Sequence, residues 1–401
     1  LKRLSFGNRF LFIEICAVRS HSYIASTTTI LKKYDGAIPF AAWLKNYFRE
    51  HKKFGSRDRK TVAHLCFCYY RLGNSFSGKA VEEKLLIGLF LCSSESNIML
   101  QELKPEWNEV VEKNLTAKFQ YIDAQQEWKH IFSFSNYLSD GINAEAFALS
   151  FLIQPDLFLR IRPQKKAIVL KKLSEANIDF YLVGDQCLRL LINTKIDEIL
   201  RLDEEVVVQD LSSQKVLNAL TTTGFQPVRI WDCCAASGGK SILAYDKWQK
   251  IQLTVSDVRE SILINLRKRF EKVGIRNYSS FVADISKEDF KPPTSNFELV
   301  ICDAPCSGSG TWGRTPEQLV FFKEEKIDYY ASLQRKIAIN ASKSVKPNGY
   351  FLYITCSVFK KENEGVVSFI QNNSSLQLIN ATYYKGYKQK ADTLFAALFK
   401  A

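Results

Sequence analysis

Short apolar runs that end in small and polar residues mark the second half of the chain. Residues 299–302 and 350–354 are rich in β-branched and aromatic side chains, and this pattern predicts two buried strands of a parallel sheet. Asp303-Ala304-Pro305-Cys306 follows the first run, and Thr355-Cys356 follows the second. Open α/β sheets bind ligands at the carboxyl ends of their strands. We therefore expect Asp303, Cys306 and Cys356 to lie at one edge of the sheet.

The same alternation of strand and helix precedes these runs. RIWDCCAASGGKSILAYDKW predicts a strand, a small-residue turn and a helix, and QLTVSDVRESILINLRKRFEKVG repeats the pattern. EEVVVQDLSSQ predicts a short strand at 206–208 and a helix that starts at Ser212 or Ser213. Strands alternating with helices indicate a parallel, doubly wound sheet of the α/β class. Four predicted strands end in a carboxylate, at Asp232, Asp257, Asp284 and Asp303.

The first part of the chain has a helical pattern instead. The segments TTTILKKY, PFAAWLKNYFREH and DRKTVAHLCFCYYRLG carry apolar residues three and four positions apart, with glycines between them. This pattern predicts an all-α domain over residues 20–140, a small αβ subdomain over 141–203 and an α/β domain over 204–401. Glu14 interrupts the apolar patch near the start, so we do not expect a signal peptide, and residues 1–18 receive no function.

Composition narrows the class of partner. The chain has 401 residues and a formal net charge of +13, which favours a polyanion such as RNA, although a merely basic enzyme is the alternative. No stretch approaches the roughly 20 apolar residues of a membrane-spanning helix. The ten cysteines form no C-x-x-C pair, so we expect no metal site and a reducing, cytoplasmic environment. We also expect a monomer.

Two groups of basic residues are candidate RNA contacts. The first surrounds the predicted start of a helix, where Ser56 or Asp58 would be the N-cap, and a solvated charged helix face is the alternative. The second lies on one face of a predicted strand, where solvent-facing residues are the alternative. These candidates are Lys52, Lys53, Arg57 and Arg59 in the first group, and Arg160 and Arg162 in the second.

The glycine-rich turn at 233–241 excludes two common nucleotide sites. A P-loop needs glycine where this chain has Cys234, and the dinucleotide fingerprint G-x-G-x-x-G is absent. What remains is a short turn whose backbone can come close to a ligand. Asp257, at the end of the next strand, would accept hydrogen bonds from a ribose. This arrangement fits an adenosine cofactor without a diphosphate, of which S-adenosylmethionine is the common one.

The two thiols suggest nucleophilic chemistry, because a thiolate is a strong nucleophile and nearby cations favour it. Lys240 is one candidate cation. All four histidines precede residue 131, so a Cys-His hydrolase is disfavoured in this domain. Cysteines that merely fill the core are the alternative.

At this point the chain resembles a known family. DCCAASGGK, DAPCSGSGTWGRTPE and TCSVFKKENE are similar to the signature motifs of the RsmB-like (Sun/Fmu-type) RNA cytosine-5 methyltransferases, and VVVQDLSSQ is similar to a further family motif. FGSRDRKTVAHLCFCYYRLG more weakly resembles the NusB-like RNA-binding helices of bacterial members. The resemblance implies a Rossmann-like class I methyltransferase domain that uses S-adenosylmethionine and acts on RNA, with ribosomal RNA as the expected substrate and transfer RNA as an alternative.

The resemblance also implies roles for individual residues. Cys356 would attack C6 of cytosine, Asp303 would hydrogen-bond the base, and Cys306 would assist removal of the C5 proton. Asp257 would hold the cofactor's ribose and Asp284 its adenine. The turn that would bind its amino-acid end, together with Asp303, is formed by Cys234, Ala235, Ala236, Ser237, Gly238, Gly239 and Lys240.

Two residues depart from the family pattern, and two other functions compete with the one that the resemblance implies. Family members usually have proline at the position of Ser237. They usually have a basic residue at the position of Ile262, and Arg259 is the candidate to replace its contact with the cofactor. A DNA cytosine methyltransferase would use Cys306 as its nucleophile, but no DNA-type recognition region is evident. A catalytically silent RNA-binding assembly factor would be expected to lose a thiol or an aspartate, and this chain keeps them.

Overall fold

The computed structural model describes residues 6–292 and 296–401, with the side chains of 6–18 and 221–223 excepted. Residues 1–18, for which we discount a signal peptide, lie outside the residues whose side chains are described. The α-helices are α1 Phe6–Lys33, α2 Phe40–Glu50, α3 Ser56–Arg71, α4 Val81–Cys92, α5 Ile98–Leu103, α6 Pro105–Asn108, α7 Leu115–Tyr121, α8 Ala144–Ser150, α9 Lys166–Glu175, α10 Leu211–Lys215, α11 Gly239–Trp248, α12 Glu260–Val273, α13 Gln318–Phe321, α14 Glu325–Ser342 and α15 Glu364–Asn373.

The strands complete the secondary structure. They are β1 Leu157–Ile161, β2 Tyr181–Val183, β3 Cys187–Leu190, β4 Val206–Val208, β5 Arg229–Asp232, β6 Gln252–Asp257, β7 Tyr278–Val282, β8 Phe297–Asp303, β9 Val345–Thr355, β10 Gln377–Lys385 and β11 Thr393–Lys400. The predicted strands at 299–302 and 350–354 are therefore the inner parts of β8 and β9. The chain divides into two compact units: residues 1–135, 143–154 and 312–322 form the first, and the remaining residues form the second.

The first unit is helical, as the hydrophobic pattern predicts. Its core contains Ile30, Phe40, Val62 and Tyr70, and the rings of Phe40 and Tyr70 meet edge to face, with centroids 5.0 Å apart. Side chains at helical spacing on α2 and α3 point into this core, because residues three and four apart share one face of a helix. In the described part of the chain, no helix combines the length and apolar character needed to cross a membrane.

Residues 312–322 pack into the helical unit although they follow the thiol-bearing loop in sequence. The Phe321 ring lies against Tyr34, with centroids 5.1 Å apart, and fills space at Gly36, whose φ is +80° and where a Cβ would come within 2.5 Å of that ring. The buried Arg71 guanidinium donates to the carbonyl oxygens of Phe151 and Gly313, at 2.6 and 3.0 Å. This segment is thus part of the helical core.

At two helices, the residue that caps the N-terminus differs from the predicted one. The N-cap of α3 is Gly55, and Asp58 instead accepts a hydrogen bond from the Gly55 N–H at 2.9 Å. In α10, which begins at Leu211, the cap is Asp210, so the prediction of a start at Ser212 or Ser213 is wrong. Both differences have the same cause, since an aspartate at a helix start satisfies a backbone N–H that has no partner inside the helix.

The second unit contains two sheets. The small sheet is antiparallel, in the order β2-β3-β1-β4, and the large one runs β10-β11-β9-β8-β5-β6-β7. Strands β5 to β9 are parallel to one another, whereas β11 pairs antiparallel with β9, and β10 pairs antiparallel with β11. Apolar side chains cover both faces of the large sheet, against α11 and α12 on one side and α14 and α15 on the other. This sheet confirms the predicted α/β, Rossmann-like class.

The chain order reverses between β5 and β8. From β5 it passes outward to β6 and β7, and it then returns to the other side of β5 through β8 and β9. Such a reversal leaves a crevice at the carboxyl ends of the central strands. Asp232, Asp257, Asp303 and Cys356 all lie at or directly after these ends. The fold therefore collects the candidate residues at the place where the sequence pattern predicts a site.

Candidate active site

The glycine-rich turn between β5 and α11 has a backbone conformation that its small residues permit. Ala236 and Gly238 have positive φ values of 45° and 85°, and a Cβ on Gly238 would come within 2.8 Å of the Phe270 ring. Asp257, at the end of β6, accepts a hydrogen bond from the Ala236 N–H at 3.1 Å. The carboxylate expected to bind a ribose thus also fixes the neighbouring turn.

Arg269 of α12 holds the same turn from outside. Its guanidinium donates to the backbone and side-chain oxygens of Ser237, at 2.9 and 3.2 Å, and pairs with Asp203 at 2.7 Å. Charge-assisted contacts of this kind have fixed directions. In this chain, therefore, Arg269 holds the backbone at Ser237, and Asp203 holds Arg269. The related family usually has proline at the position of Ser237.

Lys240 joins the turn to the end of β8. Its ammonium lies 2.7 Å from Asp303 Oδ2, and the two side chains are 16% and 27% exposed. Burial works against the lysine's charge, but Asp303 outweighs it and raises the pKa of Lys240 above its ordinary value. Asp232 lies beneath this pair, fully buried, and burial raises the pKa of its carboxyl to about 7 while a hydrogen bond from Ser241 opposes the shift.

The two predicted thiols touch. Cys306 Sγ and Cys356 Sγ are 3.2 Å apart, both cysteines are free and partly exposed, and they follow the adjacent parallel strands β8 and β9. The loops that carry them are fixed by backbone hydrogen bonds, including one of 2.8 Å from the Gly310 N–H to the Cys356 carbonyl oxygen. The sheet edge thus brings together two thiols, an ammonium and a carboxylate.

A buried carboxylate supports both thiol loops. Glu362, which is 0% exposed, accepts hydrogen bonds from the Ser307 N–H at 2.9 Å, Gln334 Nε2 at 2.8 Å and Ser357 Oγ at 2.7 Å. Sequence reasoning missed this role. KKENEGVV resembles a solvated helix start, and no local signal marks which of its charged residues is buried. Gln334 lies on α14, far away in sequence, and likewise gave no signal.

The remaining cofactor candidates have local partners. Asp284 Oδ1 accepts hydrogen bonds from the N–H and Oγ of Ser286, at 3.0 and 2.6 Å, so its adenine contact stays a prediction. Arg259 pairs with Asp257 through Nε at 3.2 Å while its own side chain is 61% exposed. Within the described chain, no group of three or more histidine, cysteine or acidic side chains is arranged to hold a metal ion.

The two groups of candidate RNA contacts have different surroundings. Lys52, Lys53, Arg57 and Arg59 are exposed at the start of α3 in the helical unit. Arg160 and Arg162, in contrast, both pair with the buried Asp246, at 2.5 and 2.7 Å. Their guanidinium groups are paired with this carboxylate inside the second unit, which favours a packing role, and their contact with phosphate stays a prediction.

Comparison with known proteins shows which family the sequence around this sheet edge is similar to. Residues 223–397 match the family model described as 16S rRNA methyltransferase RsmB/F. This part of the chain is similar to the RsmB/Sun-like family. All the candidate catalytic residues of the sheet edge, and the support from Glu362, fall within the matched range.

Relatives by sequence agree with this family. Ribosomal RNA small subunit methyltransferase B of Xanthomonas campestris is 32% identical over 179 residues, which are 43% of this chain and 40% of that protein. Probable ribosomal RNA small subunit methyltransferase B of Bacillus subtilis is 26% identical over 63% of this chain and 56% of its own length. The chain thus matches roughly half the length of these curated relatives or less.

Solved structures show that the fold extends further than the sequence match. The crystal structure of PH0851 superposes with a TM-score of 0.67 at 19% identity and covers 89% of this chain and 93% of its own. NSun6 from Pyrococcus horikoshii with SFG gives a TM-score of 0.55 at 14% identity, over 67% of this chain and 96% of its own. At these identities the likeness concerns the fold alone.

Proposed function

We propose that this protein is an S-adenosylmethionine-dependent RNA cytosine-5 methyltransferase that acts on ribosomal RNA. The observation that carries the proposal is the contact between Cys306 and Cys356 at the ends of β8 and β9, beside the ion pair of Lys240 and Asp303. Two thiols supply two different needs of such a reaction, namely a nucleophile for C6 and a group that acts on the C5 proton. The names of the sequence relatives support ribosomal RNA as the substrate.

The turn after β5 suits the amino-acid end of the cofactor. The first N–H groups of α11 have no partner within the helix, and a helix N-terminus favours a carboxylate. A Cβ on Gly239 would meet no heavy atom within 4 Å, so the backbone there is open on that side. Asp257, at the end of the next strand, would bind the ribose, and Asp284, which follows β7, would bind the adenine. When bound, the cofactor would supply an electrophilic methyl group.

The residues at the edge divide the chemistry among them. The Cys356 thiolate adds to C6 of the cytosine, and the C5–C6 π electrons become available at C5, which takes the methyl group. Asp303, paired with Lys240, hydrogen-bonds the base and stabilises charge that develops on it. Cys306 takes the C5 proton, and the C6–S bond breaks to regenerate the Cys356 thiolate and release 5-methylcytosine. The target base must leave its stack to reach such a site.

Methyl transfer from tritiated S-adenosylmethionine tests the activity. We expect label in small-subunit ribosomal RNA, and bisulfite sequencing should place it on cytosine C5. Transfer RNA and DNA of matched sequence are the controls. Preferential labelling of transfer RNA would show that transfer RNA, not ribosomal RNA, is the substrate, and labelling of DNA would show that the enzyme acts on DNA. Binding of RNA without any label would favour the catalytically silent assembly factor.

A further inference from the structure

Aromatic rings on α2 and on the residue after it form a stack that begins in the core of the helical unit. The rings of Trp43 and Tyr47 are 19° from parallel with centroids 5.3 Å apart, and those of Tyr47 and His51 are 13° from parallel with centroids 3.9 Å apart. Trp43 also stacks on Phe40, which is fully buried. Tyr47 is buried as well, whereas His51 is partly exposed. The stack therefore ends at His51, where solvent reaches the ring.

The imidazole of His51 is held in one orientation. His51 is the C-cap residue of α2, and its Nδ1 lies 2.8 Å from the Tyr47 carbonyl oxygen. A carbonyl oxygen can only accept, so Nδ1–H is the donor. Within the described part of the chain, no second aromatic ring lies against His51. The imidazole thus combines a fixed plane with one face that no other ring covers, which is the kind of surface on which unpaired bases stack.

The chain around this ring is strongly basic. Residues 32–60 contain nine lysines and arginines but three aspartates and glutamates, an excess of six positive charges where the whole chain has +13. Lys52 and Lys53 directly follow His51 and are exposed, and among the described residues neither forms an ion pair. The Lys33 ammonium lies 5.6 Å from the centroid of the Tyr47 ring. Charge that attracts phosphates and a ring that can receive a base therefore occur side by side.

We propose that the His51 ring is a stacking site for an unpaired base of RNA, and that Lys52 and Lys53 neutralise the adjoining phosphates. The inference rests on the proposed function and deepens it, because it names the form of RNA that the helical unit binds. In a duplex the faces of the bases are already stacked on one another, whereas a single strand can turn a base toward an aromatic ring. Duplex RNA is attracted by the lysines but cannot use the His51 ring.

Two substitutions at one position separate the ring from its hydrogen bond. His51→Asn removes the ring, while its amide N–H can still donate to the Tyr47 carbonyl oxygen. His51→Phe keeps a flat ring and loses the donor. Both are measured in the full chain without S-adenosylmethionine, at about pH 8, where histidine side chains are ordinarily neutral.

Fluorescence anisotropy with a labelled single-stranded RNA of about 12 nucleotides measures the affinity. His51→Asn should bind this strand about tenfold more weakly, which corresponds to about 1.4 kcal/mol and is within the contribution of one stacked base. His51→Phe should bind within about threefold of the unmodified protein, because a base can stack on either ring. The slope of log K against log salt should be unchanged in both variants, since stacking releases no counterions.

Duplex RNA and a second histidine serve as controls. A duplex of the same sequence should bind the unmodified protein and His51→Asn equally well. His21→Asn, at an exposed histidine of α1 in the same unit, should leave both affinities unchanged. The proposal is overturned by an unchanged single-strand affinity in folded His51→Asn, by an equal loss on the duplex, or by a loss in His51→Phe alone.

The unmodified protein keeps the proposal testable even if His51→Asn does not fold, because equal affinity for the single strand and the duplex would also overturn it. Failure of the proposed function has a separate signature. In that case no RNA is methylated by the unmodified protein, whereas the difference between His51→Asn and His51→Phe still reports on base stacking.

Discussion

The carboxyl edge of the large sheet and the start of α3 both carry charged residues, but these residues are held differently. At the sheet edge, Lys240 pairs with Asp303 and Glu362 has three donors. At the start of α3, the side chains of Lys52 and Arg57 are exposed. The difference teaches that chemistry needs fixed distances, whereas attraction to a polyanion needs only net charge. Mutations should therefore have large, specific effects at the first region and small, additive ones at the second.

The largest effect is expected for Cys356→Ala. Cys356 is the proposed nucleophile for C6, so methyl transfer should fall to background while cofactor affinity is retained. Single-turnover transfer assays and calorimetry with S-adenosylmethionine measure the two quantities. Turnover above a few per cent of the unmodified protein would show that Cys356 is not the nucleophile.

Cys306→Ala should fail at a later step than Cys356→Ala. With Cys356 bonded to C6 and no Cys306 to act on the C5 proton, the methylated base stays attached to the protein. We expect a protein–RNA adduct that survives denaturing electrophoresis, requires S-adenosylmethionine and disappears in the double variant. A DNA-type order of events predicts the reverse, with the adduct absent when Cys306 is removed.

Asp246→Ala tests whether Arg160 and Arg162 have a packing role or contact RNA. It leaves Arg160 and Arg162 without their shared carboxylate, whose side chain is 5% exposed, and loss of one partner of a buried pair costs about 3–5 kcal/mol. Denaturant unfolding should show this decrease in stability, with the exposed Glu271→Ala as control. A stable variant with weakened RNA binding would restore the phosphate-contact interpretation.

Arg269→Ala should loosen the cofactor turn at Ser237 without touching the thiols. Removal of the charge-assisted hydrogen bonds to that turn should raise the dissociation constant for S-adenosylmethionine about tenfold, which corresponds to about 1.4 kcal/mol. Arg267→Ala, exposed on the same helix, is the matched control. Equal affinity in both variants would mean that Arg269 supports only the fold.

The smallest effect is expected at α3. Changing Lys52, Arg57 and Arg59 together to alanine should weaken RNA binding severalfold and reduce the slope of log K against log salt by roughly 0.7–0.9 for each phosphate that the protein no longer neutralises. Binding isotherms at several salt concentrations measure the slope. If it does not change, these residues form only the solvated face of a capped helix.

The sequence predicts the features that are determined by residues close together along the chain. Strand ends, the parallel sheet and the meeting of Cys306 with Cys356 follow from apolar runs that each end in a polar turn. The pairing of Arg160 and Arg162 with Asp246 could not be predicted, because Asp246 is distant in sequence and an alternating strand pattern does not say which face is covered. The strands β10 and β11 were likewise missed, since edge pairing is decided by tertiary contacts rather than by local propensity.

The segment 312–322 has a consequence for the order in which the protein can fold during synthesis. The helical core includes Phe321 and the Gly313 carbonyl oxygen as packing partners of Tyr34 and Arg71. The ribosome must therefore pass residue 322 before the first unit can complete its interior. Until then Tyr34 has one aromatic neighbour fewer, and the buried Arg71 lacks one acceptor. A nascent chain halted before Trp312 should accordingly be a better chaperone client than one halted after Phe322.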